Sequence, residues 1–164
     1  MISESEATRA WGNLHQLYSA IRRLLDQGIE AEAGCSLADH DLLTALRGSP
    51  DRQVQMLELA DRLGVTRGGL TRIVDRHVDR GWVRRDRPEH NRREVYAVLT
   101  EAGDRTLVRA REVYVRVLSE TLGAHLDPDE LVAFQQCSRK LVHELSATGC
   151  CPGQRLVASE PPER

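Results

Sequence analysis

The sequence predicts a mainly α-helical fold that contains one β-hairpin. Apolar residues recur at spacings of three and four along six segments, which is the period of an amphipathic helix. Two runs rich in Val, Trp and Tyr, at 82–87 and 94–99, flank the polar tip Pro88-Glu89-His90-Asn91 and predict two strands. With 164 residues, 40% of them hydrophobic, the chain is long enough to form one domain with a buried core.

Four helices are predicted before the hairpin, each bounded by residues that start or stop a helix. Gly28 and Gly34 are expected to mark the end of the first helix, and Ser36 can cap the start of the second. Gly64 suits the left-handed position after the third helix, and Thr66 can cap the fourth. The expected ranges are, in order, 7–27, 37–46, 54–63 and 67–80.

Two longer helices are predicted after the hairpin. Thr100 can cap a helix over 102–122, and Asp127-Pro128 places a proline at the first position of a helix over 128–145. The segment 147–164 contains Gly, Pro, Ser and charged residues without periodicity, so we expect a flexible C-terminal tail. The sequence therefore predicts a single domain over 1–146 that is followed by this tail.

Composition excludes several classes of protein. The longest apolar run is the five residues 95–99, against the roughly 18 that a membrane helix needs, and the start of the chain resembles no secretion signal. We therefore expect a cytoplasmic protein that contacts no membrane. The four cysteines have no CxxC spacing and are expected to be reduced thiols. They are Cys35, Cys137, Cys150 and Cys151.

Charge is unevenly distributed along the chain. The formal net charge is −2, but the segment 62–93 holds ten arginines against four acidic residues and so carries +6. The other residues hold thirteen basic against twenty-one acidic side chains and carry −8. A local basic block on an acidic protein is typical of a surface that contacts nucleic acid. The alternative interpretation is a solvated helical face.

The basic block coincides with two short helices joined through Gly64-Val65-Thr66 and followed by the hairpin, which is the pattern of a winged helix-turn-helix. In this fold the second helix enters the major groove of DNA. Gly68 and Gly69 cost a helix about 1 kcal/mol each relative to alanine, which close approach to DNA would offset. The alternative is that they relieve crowding at a weakly formed helix start. The predicted DNA-contacting residues are Thr66, Arg67, Gly68, Gly69, Thr71, Arg72, Arg76, Arg87, Arg92 and Arg93.

The stretch 56–103 resembles the DNA-binding core of the MarR family of bacterial transcription regulators. The first helix of the motif, the recognition helix, the wing and the start of the next helix match LELADRLGV, TRGGLTRIVDR, RRDRPEHNRRE and LTEAG. The resemblance implies a homodimer whose winged lobes, about 36–100, reach successive major grooves of a pseudo-palindromic site. It also implies that helices about 5–33 and 101–146 form the dimerisation region. Most regulators of this family are repressors.

The resemblance also implies roles for residues in and beside the wing. In the family an arginine near the wing tip enters the minor groove and is held by an acidic residue two positions earlier. The matching positions here are Arg93 and Asn91, and asparagine can hydrogen-bond the guanidinium but carries no charge. Asp86 is an alternative partner for Arg93. His77 and Trp82 stand where the family usually has leucine, and we interpret them as a packed pair rather than a sensor.

Family members usually bind an anionic aromatic ligand, a metal or an oxidant between the dimerisation helices and the winged lobe. The first helix lacks the reactive cysteine of a peroxide sensor, and 102–122 lacks the histidines of a zinc-sensing relative. A metal cluster of Glu32, Cys35, His40 and Asp41 has no defined ligand geometry, and we interpret these as solvated loop residues. No cofactor and no metal are therefore expected.

A small organic effector, of the anionic aromatic class, remains the default ligand. His15 and Tyr18 on the first helix, with His40 on the second, offer polar groups beside an apolar wall and are the predicted lining residues. Ordinary interface packing explains these three residues equally well.

The leading functional hypothesis is a homodimeric, sequence-specific DNA-binding transcription regulator that acts as a ligand-responsive repressor. The alternative is a winged-helix protein-interaction module without specific DNA binding, which the uncharged Asn91 and the acidic remainder of the chain favour. An enzyme is not expected, because the sequence contains no GxSxG, phosphate-binding loop or HExxH motif.

Overall fold

Six α-helices and three short β-strands make up the part of the chain that the computed structural model describes, residues 4–88, 91 and 94–147. The helices are α1 (Glu4–Ala33), α2 (Leu37–Arg47), α3 (Met56–Leu63), α4 (Arg67–Asp79), α5 (Glu101–Leu118) and α6 (Pro128–Ala147). The strands are β1 (Gln53–Gln55), β2 (Val83–Asp86) and β3 (Tyr96–Leu99). This architecture confirms the predicted mainly α-helical class with a hairpin of β2 and β3. The segment 148–164, which holds most of the predicted tail, lies outside the described residues.

Local capping explains where four of the helices begin. The Ser36 hydroxyl accepts a hydrogen bond from the Asp39 amide at 3.1 Å, and the Asp39 carboxylate accepts one from the Ser36 amide at 2.9 Å. Thr66 and Thr100 each accept from the amide three residues later, at 3.1 Å. Asp127 does the same before α6, at 2.9 Å. The four predicted helix starts are therefore confirmed.

The sheet has one strand more than the predicted hairpin. β1 pairs antiparallel with β3, with Gln53 opposite Val98, and β3 pairs with β2 on its other side, with Val83 opposite Leu99. The strand order is therefore β1-β3-β2. The prediction that the third helix starts at Val54 was wrong. Three residues are too few to show the alternation of a strand, and β1 is stabilised by pairing with a distant segment.

α1 continues through Gly28, where the sequence analysis placed its end. The helix is followed by Gly34, whose φ of 70° lies in the left-handed region that favours glycine. A Cβ on Gly28 would lie 3.2 Å from Cγ1 of Val113 and 3.5 Å from Cγ2 of Val117, both on α5. Gly28 therefore permits close packing of α1 against α5. The regular part of α5 also ends earlier than predicted, because a wider helical turn forms over Ser119–Gly123.

Two hydrophobic cores are buried within the chain. The first lies inside the winged lobe, between α2, α3, α4, the sheet and the start of α5. The second lies where the C-terminal half of α1 crosses α5, around Leu25, Ile29 and Val113. The ring of Trp82 packs against both cores. The winged lobe and the α1–α5 layer are therefore joined by packed side chains.

The N-terminal half of α1 and all of α6 expose apolar side chains. Within the described part of α6, no side chain is buried. The largest exposed apolar residues of the two helices are Trp11, Leu14, Leu17, Tyr18, Leu24, Val132, Phe134, Leu141, Val142 and Leu145. Monomeric proteins rarely expose contiguous apolar surfaces of this extent. None of the described helices is long and apolar enough to cross a membrane.

Replacing Gly103 by alanine should destabilise the fold. A Cβ on Gly103 would lie 2.2 Å from the carbonyl oxygen of Trp82 and 2.9 Å from Cδ1 of Leu99. We expect Gly103→Ala to lower the free energy of unfolding by about 2 kcal/mol, since overpacking outweighs the gain in helix propensity. Chemical denaturation measures this change. Gly68→Ala is the matched control, because a Cβ there meets nothing within 4 Å, and equal effects of the two variants would contradict the packing argument.

Candidate nucleic-acid interface

A tight turn between α3 and α4 positions the candidate recognition helix. Gly64 ends α3 with a φ of 65°, which is the left-handed conformation expected from the sequence. The amide of Val65 donates to the carbonyl of Ala60 at 3.0 Å, and the Thr66 hydroxyl accepts from the Gly69 amide. Because three residues connect the helices, α4 leaves α3 at a fixed angle. Its N-terminal turn is thereby presented at the surface.

α4 buries one face and exposes the other. Leu70, Val74 and His77 are buried against the rest of the winged lobe. The opposite face is exposed to solvent and carries Arg67, Gly68, Thr71, Arg72, Asp75 and Arg76. Thr66 is also exposed at the start of the helix, whereas Gly69 is half-buried. The predicted residues of this helix thus lie on one continuous face or at its N-terminal end.

The two glycines of α4 have different surroundings. A Cβ on Gly69 would lie 3.1 Å from the Thr66 hydroxyl that caps the helix, so this glycine fits the crowding interpretation. A Cβ on Gly68 would meet nothing within 4 Å. Crowding inside the chain therefore gives no reason for a glycine at position 68. Its cost in helix propensity stays unexplained by contacts within the described residues.

The arginines of the basic block divide into paired and unpaired groups. Ion pairs with carboxylates engage Arg62, Arg80, Arg84 and Arg85. On the exposed face of α4, by contrast, no carboxylate among the described residues pairs with the guanidinium groups of Arg67, Arg72 and Arg76. Only part of the +6 charge is therefore free to act on a partner, and that part lies on α4.

Arg85 connects the wing to the recognition helix. Its Nη1 donates to Oδ1 of Asp75 at 2.5 Å, and its Nη2 donates to the carbonyl of Thr71 at 3.3 Å. Asp75 and Thr71 lie on α4, whereas Arg85 lies on β2. The sequence analysis treated Arg85 and Asp75 only as members of the charge count. Opposite charges ten residues apart across two elements show no periodic signal, so only the structure identifies this brace.

The described part of the wing is held by short polar contacts. The Asp86 carboxylate accepts from the backbone amide of Arg87 at 3.0 Å, and the Arg87 side chain is exposed. The Asn91 side-chain amide donates to Glu94 at 2.8 Å, and the Tyr96 hydroxyl donates to the other Glu94 oxygen at 2.9 Å. This hydrogen bond raises the pKa of Tyr96. Arg92 and Arg93 lie outside the described residues, so support of Arg93 by Asn91 or Asp86 stays a prediction.

His77 packs beside Trp82, which confirms the interpretation of these two residues as a packed pair. The imidazole is 1% exposed and its ring centroid lies 5.7 Å from that of Trp82 in an edge-to-face arrangement. Its Nε2 atom lies 3.2 Å from Oδ1 of Asp39. Burial alone would raise the pKa of Asp39, but the contacts with His77 and Ser36 outweigh it and hold this pKa well below its usual range.

The predicted effector residues are only partly brought together. The Tyr18 hydroxyl accepts from Nη1 of Arg22 at 3.1 Å, and this bond and the charge of Asp41 raise the pKa of Arg22. Nδ1 of His40 lies 3.2 Å from Oδ1 of Asp41. The His40 ring also stacks on that of Tyr114, with centroids 4.7 Å apart. Tyr18 and His40 therefore belong to one polar group at the contact of α1, α2 and α5.

Two further residues bear on the predicted effector group. His15 lies apart from it, with its ring centroid 6.4 Å from that of Trp11 on the exposed half of α1. Arg22 is the cation of the group, and the sequence analysis missed it. Its position one helical turn after Tyr18 was the available signal.

The structure gives Cys35 a packing role. Cys35 is 2% exposed in the second core, and burial raises the pKa of its thiol to about 11. Cys137 is exposed on α6, and Cys150 and Cys151 lie outside the described residues. The carboxylate of Glu32 pairs with Arg116. Among the described residues, no group of three or more His, Cys, Asp or Glu side chains is arranged to hold a metal ion.

Comparisons with known proteins agree with this geometry. The MarR family model matches residues 33–94. The transcriptional repressor MprA of Escherichia coli (strain K12) is 31% identical over 103 residues, which are 63% of this chain and 58% of the repressor. The chain thus matches little more than half the length of that relative. The uncharacterized protein Rv2011c of Mycobacterium tuberculosis is 31% identical over 143 residues, 87% of this chain and 96% of that protein.

The fold is also similar to that of a solved DNA complex. Sco3205, a MarR family transcriptional regulator from Streptomyces coelicolor, was crystallised in complex with DNA. Its chain superposes with a TM-score of 0.77 at 26% identity, over 88% of this chain and 91% of that chain. Since the family model covers the helix-turn-helix and its hairpin, and a relative at 31% identity covers 87% of the sequence, this chain belongs to the MarR family.

Proposed function

We propose that the chain is a homodimeric, sequence-specific DNA-binding transcription regulator of the cytoplasm, a ligand-responsive repressor that binds a pseudo-palindromic operator. The observation that carries this proposal is the exposed face of α4, where Arg67, Arg72 and Arg76 have no carboxylate partner among the described residues. The printed functions of MprA and Sco3205 support it, since one is a repressor and the other was solved with DNA.

The proposed contacts follow from the position of each residue. An arginine on an exposed recognition helix can bind guanine O6 and N7 with two hydrogen bonds, which assigns Arg72 and Arg76 to bases or phosphates. Thr66 and Gly68 lie at the N-terminus of α4, where free amide groups and the helix dipole favour a phosphate. Arg87, Arg92 and Arg93 belong to the wing and are assigned to the adjacent backbone or minor groove.

A second copy of the chain is the proposed occupant of the exposed apolar surface on α1 and α6. Exposure of Trp11, Phe134 and Leu141 to water is unfavourable, and burial against the same surface of another copy removes it. A two-fold dimer presents two recognition helices to half-sites about 34 Å apart, one turn of DNA. This spacing explains why the operator is expected to be pseudo-palindromic.

The proposed effector is a small organic anion that binds near Arg22. Tyr18 and His40 lie in the same polar group, and Tyr114 supplies an aromatic face beside them. An arginine can bind a carboxylate with two parallel hydrogen bonds, and the ring favours a flat ligand. His15 stays a predicted lining residue, located one further turn from Tyr18 toward the start of α1.

Loss of two arginines separates the two candidate functions. We expect Arg72→Ala to weaken operator binding by about 1–3 kcal/mol and to relax its sequence preference, and Arg93→Ala to lower the salt slope by about one phosphate contact. Fluorescence anisotropy with the DNA beside the gene, across a salt series and against scrambled DNA, measures both effects. Arg105→Ala removes the same charge from an exposed site on α5 and is the control.

The outcomes of this experiment are distinct. If Arg72→Ala and Arg93→Ala both bind the operator like the wild type, the assignment of the interface is wrong. Binding by the wild type that is weak, insensitive to salt and equal for scrambled DNA supports the alternative, a winged-helix module that binds a protein.

Gly68→Ala should separate stability from DNA binding. The substitution is expected to raise the free energy of unfolding by up to about 1 kcal/mol, because alanine favours the helix and the site is open. The same methyl group blocks close approach of DNA backbone, so operator affinity should fall by roughly tenfold. Thermal unfolding and anisotropy measure the two quantities. Unchanged affinity of the stabilised variant would argue against contact at Gly68.

Leu141→Asp should break the proposed dimer. Sedimentation equilibrium is expected to give twice the 18.4 kDa chain mass for the wild type and the single mass for the variant, because a charge cannot be buried unpaired in an apolar interface. Gln136→Asp adds the same charge on the opposite side of α6 at 100° per residue and should leave the dimer intact. A monomeric wild type, or a Leu141→Asp dimer of wild-type strength, would refute this interface.

A further inference from the structure

A small polar cavity lies between the end of α1, the start of α2 and the last turns of α4. Its volume is about 150 Å³. His77 contributes a buried imidazole to the cavity wall, and Asp39 contributes a carboxylate whose side chain is only 10% exposed. The charged or titratable groups that line it are Glu30, Cys35, Asp39, Arg76, His77 and Arg80. None of these groups is needed to explain the exposed reading face of α4, except Arg76.

The contacts of His77 determine how many protons its ring carries. Nδ1 lies 2.7 Å from the carbonyl oxygen of Ile73, and since a carbonyl only accepts, Nδ1 must hold a proton. In a neutral ring the other nitrogen, Nε2, would then carry a bare lone pair. Nε2 lies 3.2 Å from the ionised carboxylate of Asp39 and has no aligned hydrogen-bond partner among the described residues. Two facing lone pairs repel in a buried site, whereas a proton on Nε2 makes the contact attractive.

The surrounding charges allow this proton. Glu30 and Asp39 are negative and favour a charged ring, whereas Arg76 and Arg80 oppose it. The Arg80 side chain is 51% exposed, so solvent screens its repulsion. The buried thiol of Cys35 is neutral because burial raises its pKa to about 11. The nearest group to Nε2 is the carboxylate of Asp39.

Asp39 also connects two helices. One carboxylate oxygen accepts from the Ser36 amide at 2.9 Å and from Nη1 of Arg80 at 3.3 Å, and the other faces His77. Ser36 is the cap of α2, whereas His77 and Arg80 lie at the end of α4. The carboxylate therefore holds the start of α2 against the end of the helix that carries the exposed arginines.

We propose that His77, protonated on both ring nitrogens, and Asp39 form a buried ion pair that fixes the position of α4, and that operator affinity depends on this pair. The coupling to affinity rests on the proposed function, whereas the pair itself does not. As pH rises, the Nε2 proton passes to water and leaves a lone pair against the carboxylate. The pair is present at low pH and lost at high pH, so affinity should fall as pH rises.

Asp39→Asn is the variant that tests the pair without removing the capping interaction. The asparagine carbonyl can still accept from Ser36, and its NH₂ group can donate to a bare Nε2, so a neutral His77 fits the same space. Asp41→Asn is the matched control on the same helix, since it removes one carboxylate that is 52% exposed and contacts His40.

Ring ¹⁵N NMR of the free protein at about pH 7.5 reads the protonation of His77 directly, at a pH where an unperturbed imidazole is mostly neutral. We expect protons on both nitrogens in the wild type and in Asp41→Asn, and on Nδ1 alone in Asp39→Asn. A bare Nε2 in the wild type, or the same ring state in wild type and Asp39→Asn, overturns the proposed pair.

Operator affinity at about pH 6 and pH 8.5 then tests the coupling. We expect wild type and Asp41→Asn to bind roughly tenfold more weakly at the higher pH, and Asp39→Asn to change by less than about twofold. Identical pH profiles for all three proteins overturn the coupling. Absence of operator binding by the wild type at both pH values overturns the proposed function and the coupling with it, while the ring measurement still decides whether the pair exists.

Discussion

Trp82 is the residue on which the arrangement of the two parts of the chain depends. Its ring packs against the core of the winged lobe and against the core between α1 and α5. Its backbone amide donates to the carbonyl of His77 at 2.9 Å, and its carbonyl accepts from the Thr100 amide at 3.0 Å. The end of α4 and the start of α5 are therefore tied to one residue. Gly103 leaves the room that this carbonyl occupies, so the junction is packed from both sides.

The division of the arginines follows from the same construction. A side chain near the junction or between elements finds a carboxylate, as Arg80 does with Asp39 and Arg85 with Asp75. Arginines on the outer face of α4 point away from every packed element and find none among the described residues. The basic block is thus two sets of residues with different roles. One set braces the wing and the recognition helix, and the other supplies the free positive charge.

Features determined by neighbouring residues were predictable from the sequence, and features determined by distant contacts were not. The caps at Ser36, Thr66 and Thr100 depend on the next three residues, so their patterns are local. Gly28 has the signature of a helix end, but its role is set by the crossing with α5. β1 exists because β3 pairs with it, and the brace from Arg85 to Asp75 joins two elements. In the candidate interface, sequence therefore identified the exposed residues of α4 but not the contacts that orient them.

The first turn of α2 lies between the proposed effector group and the recognition helix. Asp39 faces the end of α4, whereas the next residue, His40, stacks on Tyr114 of α5 beside Asp41. Successive residues of a helix point about 100° apart, so one turn contacts both partners. Close-packed interiors do not deform continuously, and a shift of this turn at one contact has to be accommodated at the other. In the proposed regulator, an anion at Arg22 therefore acts two adjacent residues away from the carboxylate that holds α4.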